Sequence, residues 1–233
     1  HVASDLQRKA FFDHCMSVIP SPRRALDVGT GQGTWAVRLA RHADEVVAVD
    51  VGPENLELAR RYADRKGLGN VRFLQADAEN TGMLDASFDI VAHVSVMMYL
   101  PDPEAGLREV FRLLAPGGHL ILEVPNARSL TYRLYDKREH SRRYPVHARP
   151  RLMILDDVTA LLEGCGFDVK HVSLGWSAVD WAIARACGLG RRVTALRFLL
   201  PSARVFYAVT VPTSRWLGRH KRLRPLFRYG PGA

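Results

Sequence analysis

A chain of 233 residues, 47% hydrophobic and 24% charged with a formal net charge of +9, has ordinary globular composition and enough length for one substantial core. No apolar run reaches the roughly 18 residues that a membrane-spanning helix needs, and the N-terminal stretch lacks the charged-then-apolar build of a signal peptide. Cys15, Cys165 and Cys187 share no metal-ligand spacing and are odd in number, which predicts a reduced, cytoplasmic protein rather than a disulfide scaffold or a zinc site.

Ser4-Asp-Leu-Gln7 has the form of a helix capping box and predicts a helix to Val18, where Pro20 and Pro22 stop it. Arg24–Val28 reads as a buried strand, Thr34–His42 as a helix and Glu45–Asp50 as a second strand. Pro53 stands where proline is welcome in a first helical turn, and Leu56, Ala59 and Tyr62 recur at helical spacing until Gly67. Val71–Gln75 and Phe88–His93 are the third and fourth strands. Pro103–Leu114 is a helix closed by Pro116-Gly117-Gly118, and His119–Val124 is the fifth strand. Residues 126–151 are polar and rich in Arg and Tyr. Asp156 is placed to cap a helix ending at Gly164-Cys165-Gly166, and Phe167–Val172 return as a strand. Residues 177–200 hold helical stretches, Val205–Val211 form a last strand, and a basic tail fills 213–233. Strands alternating with helices predict a parallel α/β sheet.

The motif that carries chemistry is Leu26-Asp-Val-Gly-Thr-Gly-Gln-Gly33, a strand running into a glycine turn and then a helix. Glycines there let the backbone turn sharply and approach a ligand. A dinucleotide fingerprint wants a sixth-position glycine where this chain has Thr34, and no Gly-Lys-Ser/Thr follows to make a P-loop. Asp27 decides between ligands. A carboxylate beside a pyrophosphate meets like charge, but it suits a ligand carrying an ammonium and a sulfonium. Asp50 ends the second strand, 21 residues beyond Gly29, at the carboxyl edge where it can accept from both ribose hydroxyls. Strand-terminal Asp is also common turn chemistry. Asp77 and Ala78, after the third strand, can respectively accept from an adenine amino group and donate to a ring nitrogen.

Asp27-Val-Gly-Thr-Gly-Gln-Gly33, Val47-Ala-Val-Asp50, Leu74-Gln-Ala-Asp77-Ala, Phe88-Asp-Ile-Val-Ala-His93 and Leu113-Leu-Ala-Pro-Gly-Gly118 stand in order at familiar spacings. Together they resemble the class I S-adenosylmethionine-dependent methyltransferases, in the style of the small-molecule branch that includes ubiquinone- and menaquinone-biosynthesis enzymes. The resemblance implies a Rossmann-like, doubly wound, mostly parallel seven-stranded sheet of order 3-2-1-4-5-7-6 with the last strand antiparallel. It covers residues 20–125 and, more loosely, 156–172; the economical account of the whole is one domain over residues 1–212, with 126–151 and 177–200 as a helical lid on the acceptor side. Carried over by position, Asp27, Gly29, Thr30, Gly31 and Gly33 cradle the methionine portion, Asp50 takes the ribose, Val51 lies beside the adenine, and Asp77 and Ala78 contact it. His93 faces the methionine portion and the acceptor, and Arg8 and Phe12 are candidates for closing the pocket. Quinone-type O-methyltransferases carry a Glu-x-x-Glu-His pattern after this strand, tied to a divalent metal. The matching positions here are Ser95, Met98 and Tyr99, so no catalytic metal is expected.

The implied reaction is in-line displacement from a sulfonium, leaving S-adenosylhomocysteine, and it rests on alignment and on a base for the acceptor. His93 is the first candidate base because histidine ordinarily titrates near neutral pH. Its plainer role is to orient the cofactor or sit near the core. His140 and His147 are the rivals, and Tyr99, Tyr132, Tyr135 and Tyr144 are candidates to line an aromatic-acceptor pocket, or simply to pack.

The charge is split unevenly. Residues 1–125 carry 13 Lys and Arg against 17 Asp and Glu, net −4, and residues 126–233 carry 20 against 7, net +13. An anionic metabolite facing those arginines, or a quinone-like lipid at a membrane surface, accounts for the split. General arginine bias also accounts for it, since 28 of the 33 basic residues are Arg. A membrane-peripheral or RNA-binding protein using its basic half as an electrostatic platform is the rival class. No base-methylating Asn/Asp-Pro-Pro-Tyr motif, Pro-Cys nucleophile or appended RNA-binding module supports a nucleic-acid substrate.

Overall fold

The computed structural model describes residues 2–19, 22–127, 153–175 and 204–210. Helix α1 (Val2–Val18) leads into β1 (Arg24–Val28), α2 (Thr34–Leu39), β2 (Glu45–Asp50), α3 (Pro53–Arg65) and β3 (Val71–Gln75). Strand β4 (Phe88–Val94), a short 3-10 turn at Met97–Tyr99, α4 (Pro103–Leu113), β5 (Leu114–Pro125), α5 (Leu155–Cys165), β6 (Asp168–Gly175) and β7 (Arg204–Thr210) complete it.

The seven strands make one sheet in the order β3-β2-β1-β4-β5-β7-β6, as the family resemblance implies. The first five pair in parallel, and β7 runs antiparallel to both β5 and β6. Central strands buried on both faces read as near-continuous apolar runs, as Val46–Val49 of β2 and Ile90–Ala92 of β4 do. On one face Leu26, Val91 and Leu120 pack with Leu107, Val110 and Phe111 of α4 and with Val158 and Leu162 of α5. Phe111 meets Phe167 edge-on with ring centroids 5.3 Å apart. On the other face Ala25, Ala48 and Ile90 pack against Phe11 and Phe12 of α1 and Trp35 of α2. Two layers of helix around a parallel sheet leave the carboxyl ends of β1, β2, β3 and β4 as one edge, where loops converge.

Several boundaries differ from expectation for local reasons. Helix α1 already begins at Val2, so Ser4 and Gln7 lie within its first turns rather than capping it. Helix α2 ends at Leu39, with Ala40 and Ala43 closing the turn through bonds to Ala36 and Leu39. Pro116-Gly117-Gly118 does not stand between helix and strand. Leu114 already pairs with Phe88, and the register then shifts so that Ile90 pairs with His119, which puts Ala115–Gly118 in an irregularity of β5. Asp156 does not cap α5: the cap is Ile154 with no side-chain bond, and Asp156 sits in the first turn, where its charge suits the positive helix end. Of the segment 126–151 only Asn126 and Ala127 are described, bound to Met153 as a parallel bridge. The rest of it, 177–200 and the tail 213–233 lie outside the described residues.

Phe111 is 1% exposed at the centre of the larger core cluster. Phe111→Ala should lower unfolding free energy by about 3–5 kcal/mol, read from the midpoint of urea denaturation.

Candidate active site at the carboxyl edge of the sheet

The loop after β1 is shaped by two buried acids. Asp27 is 2% exposed, and its Oδ2 accepts from the Thr30 hydroxyl at 2.7 Å and from the Ala36 amide at 2.8 Å. That single oxygen ties strand end, loop and the first turn of α2 together. Asp50, 8% exposed at the end of β2, accepts from the Gly31 amide at 2.9 Å on Oδ2. Its Oδ1 accepts from the Gly52 amide at 2.9 Å and from Asn55 Nδ2 at 3.0 Å. Buried carboxylates need such donors, and here they come from the glycine loop, the first turns of α2 and α3 and the turn after β2, so satisfying the two acids fixes the loop.

Glycine is required at two loop positions. Gly29 has φ +63°, and a Cβ there would stand 2.3 Å from Val96 Cγ2. Gly33 has φ +81° and lies against Ala59 of α3, whose Cα would be 3.0 Å from an added Cβ. Gly31, between them, has open space beyond it. The loop is thus packed at its ends and open at its middle.

The other expected cofactor residues stand on neighbouring strand ends. Val51 is an exposed apolar side chain, 64% accessible, and Gln75 Nε2 bonds its carbonyl at 2.9 Å. Ala78 is buried, and Asp77 is exposed and accepts from the Glu79 amide at 2.9 Å. Tyr99 lies at the end of the 3-10 turn, 43% exposed, near in sequence to the largely buried Met98.

His93 sits differently from the near-neutral base expected. It pairs in register with Val28 and Leu122, on the sheet face that packs against α4 and α5, and is 0% exposed. Neither ring nitrogen has a hydrogen-bond partner. Burial holds its pKa down at about 4, so the ring is neutral at physiological pH. Phe12 is a core residue rather than a pocket closer, edge-on to Trp35 at 5.4 Å and to His42 at 5.5 Å. His140, His147, Tyr132, Tyr135 and Tyr144 lie outside the described residues.

One participant is absent from the motif reading. Glu123 of β5, 1% exposed, accepts from Arg8 Nε at 3.0 Å and from Arg8 Nη2 at 3.1 Å, and Nη2 also reaches Ser95 Oγ at 3.3 Å. Ser95 has φ +59°, rare for a residue with a side chain, and its amide donates to the Glu123 carbonyl. This pins α1 to the ends of β4 and β5. The signal was available: one acid inside the apolar run Leu120-Ile-Leu-Glu-Val124 must find a cation.

A family model described as a methyltransferase domain matches residues 21–177. The chain belongs to this methyltransferase family. Demethylmenaquinone methyltransferase of Thermus thermophilus is 42% identical over 125 residues, 51% of this chain and 56% of that protein. Ubiquinone biosynthesis O-methyltransferase of Acinetobacter baylyi is 31% identical over 111 residues, 47% of each chain. The chain thus spans about half the length of these relatives. The solved N-methyltransferase NodS of Bradyrhizobium japonicum, in complex with S-adenosylhomocysteine, shares the fold with a TM-score of 0.63 at 16% identity, covering 88% of this chain and 86% of that one.

The edge described above fits a cationic nucleoside: a glycine loop open at Gly31 and two acids, Asp27 and Asp50. Among the described residues no group of three or more His, Cys, Asp or Glu could hold a metal ion, and no helix is long and apolar enough to cross a membrane.

Burial, the largest cause, pushes the Asp27 carboxyl up to about 7, the Asp50 charge adds to this, and the two hydrogen bonds oppose it. A pKa raised on folding means the native state holds a proton that the unfolded chain has lost. Asp27 should therefore make ligand-free protein progressively less stable as pH rises from about 4 to about 7. The lowered pKa of His93 acts oppositely between about 4 and 6.5, so the comparison must be with a variant. Asp27→Asn keeps an acceptor oxygen, and its stability relative to wild type, from urea midpoints, should rise across pH 4–7. A pH-independent difference would contradict this origin.

Proposed function

We propose that this protein methylates a small-molecule acceptor at the carboxyl edge of the sheet, with Asp27, Gly29, Thr30, Gly31 and Gly33 around the methionine portion of the donor. In this reading Asp50 accepts the ribose hydroxyls, Val51 lies against the adenine, and Asp77 and Ala78 meet its polar edge. The observation that carries it is the Asp50 carboxylate: each oxygen is oriented by a loop amide, Gly31 on one side and Gly52 on the other. Oδ2, with the Gly31 amide as its one partner, keeps a lone pair for a ribose hydroxyl, and on Oδ1 a second hydroxyl takes the place of the Asn55 side chain, the one movable donor there.

Bound S-adenosylmethionine supplies a methyl group on a sulfonium, already an excellent leaving group. The chain's own task is alignment, exclusion of water and the protonation state of the acceptor. Asp27 and Asp50 favour a cationic donor over its neutral-sulfur product. His93 serves as a neutral, buried side chain beside this edge rather than as the proton acceptor. Its low pKa makes it a weak base, and that role passes to His140 or His147. Tyr99, with Tyr132, Tyr135 and Tyr144, lines the acceptor side. The activities for which the Thermus and Acinetobacter relatives are named favour a quinone-type or other aromatic metabolite, and the basic second half suits one bearing negative charge. Ser95, Met98 and Tyr99 at the positions of a metal-binding pattern favour a reaction without a divalent cation. Transfer is expected in the cytoplasm.

Calorimetric titration should show saturable binding of S-adenosylmethionine and S-adenosylhomocysteine. Asp50→Ala should weaken both by about 10–100-fold, the worth of one hydrogen bond to a charged group. No heat of binding at millimolar ligand would overturn the proposal. With binding in hand, a screen of phenolic and quinol acceptors for S-adenosylhomocysteine release identifies the substrate.

A further inference from the structure

The turn after β3 is held from behind by α4 at two points, and neither follows from the motifs. Glu109 is 7% exposed although charged. Its Oε1 accepts from the Thr81 hydroxyl at 2.6 Å and from the Thr81 amide at 2.8 Å. Arg112, one turn on, bonds both oxygens of Glu109, at 2.8 Å and 2.7 Å, and reaches forward to the Met83 carbonyl at 2.7 Å and to Asp85. At the other end of the helix, the amide of its N-cap Asp102 donates to Glu79 Oε1 at 2.7 Å. Within the turn, Asp77 bridges Asn80 and accepts from the Glu79 amide. Residues 77–83 are therefore fixed at Glu79, Thr81 and Met83 by a single helix.

A buried acid on α4 that spends its bonds on a neighbouring loop does more than fill space. An apolar side chain would pack there without the cost of burying a charge. What it secures is the shape of the segment that presents the Ala78 amide and the Asp77 carboxylate. We propose that α4 is a clamp on this turn, with Glu79, Thr81 and Glu109 as positioning residues that set selectivity for a 6-aminopurine over a 6-oxopurine. This rests on the reading that Asp77 and Ala78 meet the base. The chemistry is a matched pair: an acceptor for the exocyclic amine and a donor for the adjacent ring nitrogen. A 6-oxopurine reverses both partners. Sites that hydrogen-bond a group reject the analogue lacking it only while their own donors and acceptors are held in place.

The test compares Kd for S-adenosylhomocysteine and S-inosylhomocysteine by calorimetry. Wild type should prefer the adenosyl form by at least about 10-fold. Thr81→Val combined with Glu79→Leu leaves the Glu109–Arg112 pair intact. The double variant should bind S-adenosylhomocysteine about 5–10-fold more weakly, with the preference shrinking towards one, as loss of one or two modest hydrogen bonds implies. Thr81→Ser in the Glu79 wild-type background should retain the preference. An undiminished preference in a folded double variant overturns the clamp, as does a wild-type ratio near one. Wild type binding neither ligand instead overturns the cofactor site itself, and the two failures are distinct.

Discussion

Two carboxylates at the ends of adjacent parallel strands constrain everything else at this edge. Asp27 and Asp50 are almost fully buried, and a buried carboxylate must be hydrogen-bonded or neutralised. The donors within reach belong to the glycine loop, the first turn of α2 and, for Asp50, Gly52 and Asn55 at the start of α3. Loop shape, helix start and the negative potential of the site are thus one arrangement seen three ways. The parallel sheet is what makes it available. Register pairing of Asp27 with Ala48 and of Val28 with Val49 brings the end of β1 beside the end of β2, so Thr30 can donate to the Val49 carbonyl.

The same logic divides the chain by charge. The half that forms this edge is slightly acidic, and its arginines are largely committed to nearby acids. Arg24 bonds Glu45, Arg61 bonds Glu57, Arg112 is held by Glu109 and Asp85, and Arg8 is held by Glu123. Such pairing leaves Asp27 and Asp50 without a competing cation in their described bonds, which suits a ligand that brings its own positive charge. The surplus of Lys and Arg falls after residue 125, in the half of the sequence proposed to choose the acceptor.

Much of this was legible in order and spacing. Strand–glycine–helix at residues 24–39, an acid at the end of β2 and the turn after β3 each leave a local imprint, because each is made by consecutive residues. Sheet order was not in the spacing itself; it followed from the family those motifs resemble. What was not legible depends on distant partners. The depression of the His93 pKa requires knowing that the folded chain buries the ring completely. The Arg8–Glu123 pair spans 115 residues, and only the oddity of an acid in an apolar strand hinted at it. Phe12 looked like a pocket residue until Trp35 and His42 stood beside it. The start of β5 was misplaced because Pro116-Gly117-Gly118 signals a turn, and the strand accommodates it as an irregularity.

The central claim is that the donor lies along the ends of β1, β2 and β3, and amide chemical-shift mapping tests it most directly. Titrating isotope-labelled protein with S-adenosylhomocysteine should shift the amides of Gly29, Gly31, Gly33, Val51 and Ala78, and leave those of the opposite sheet edge, such as Glu45 and Val71, in place. Shifts clustered away from the carboxyl edge, or none at saturating ligand, would contradict the account.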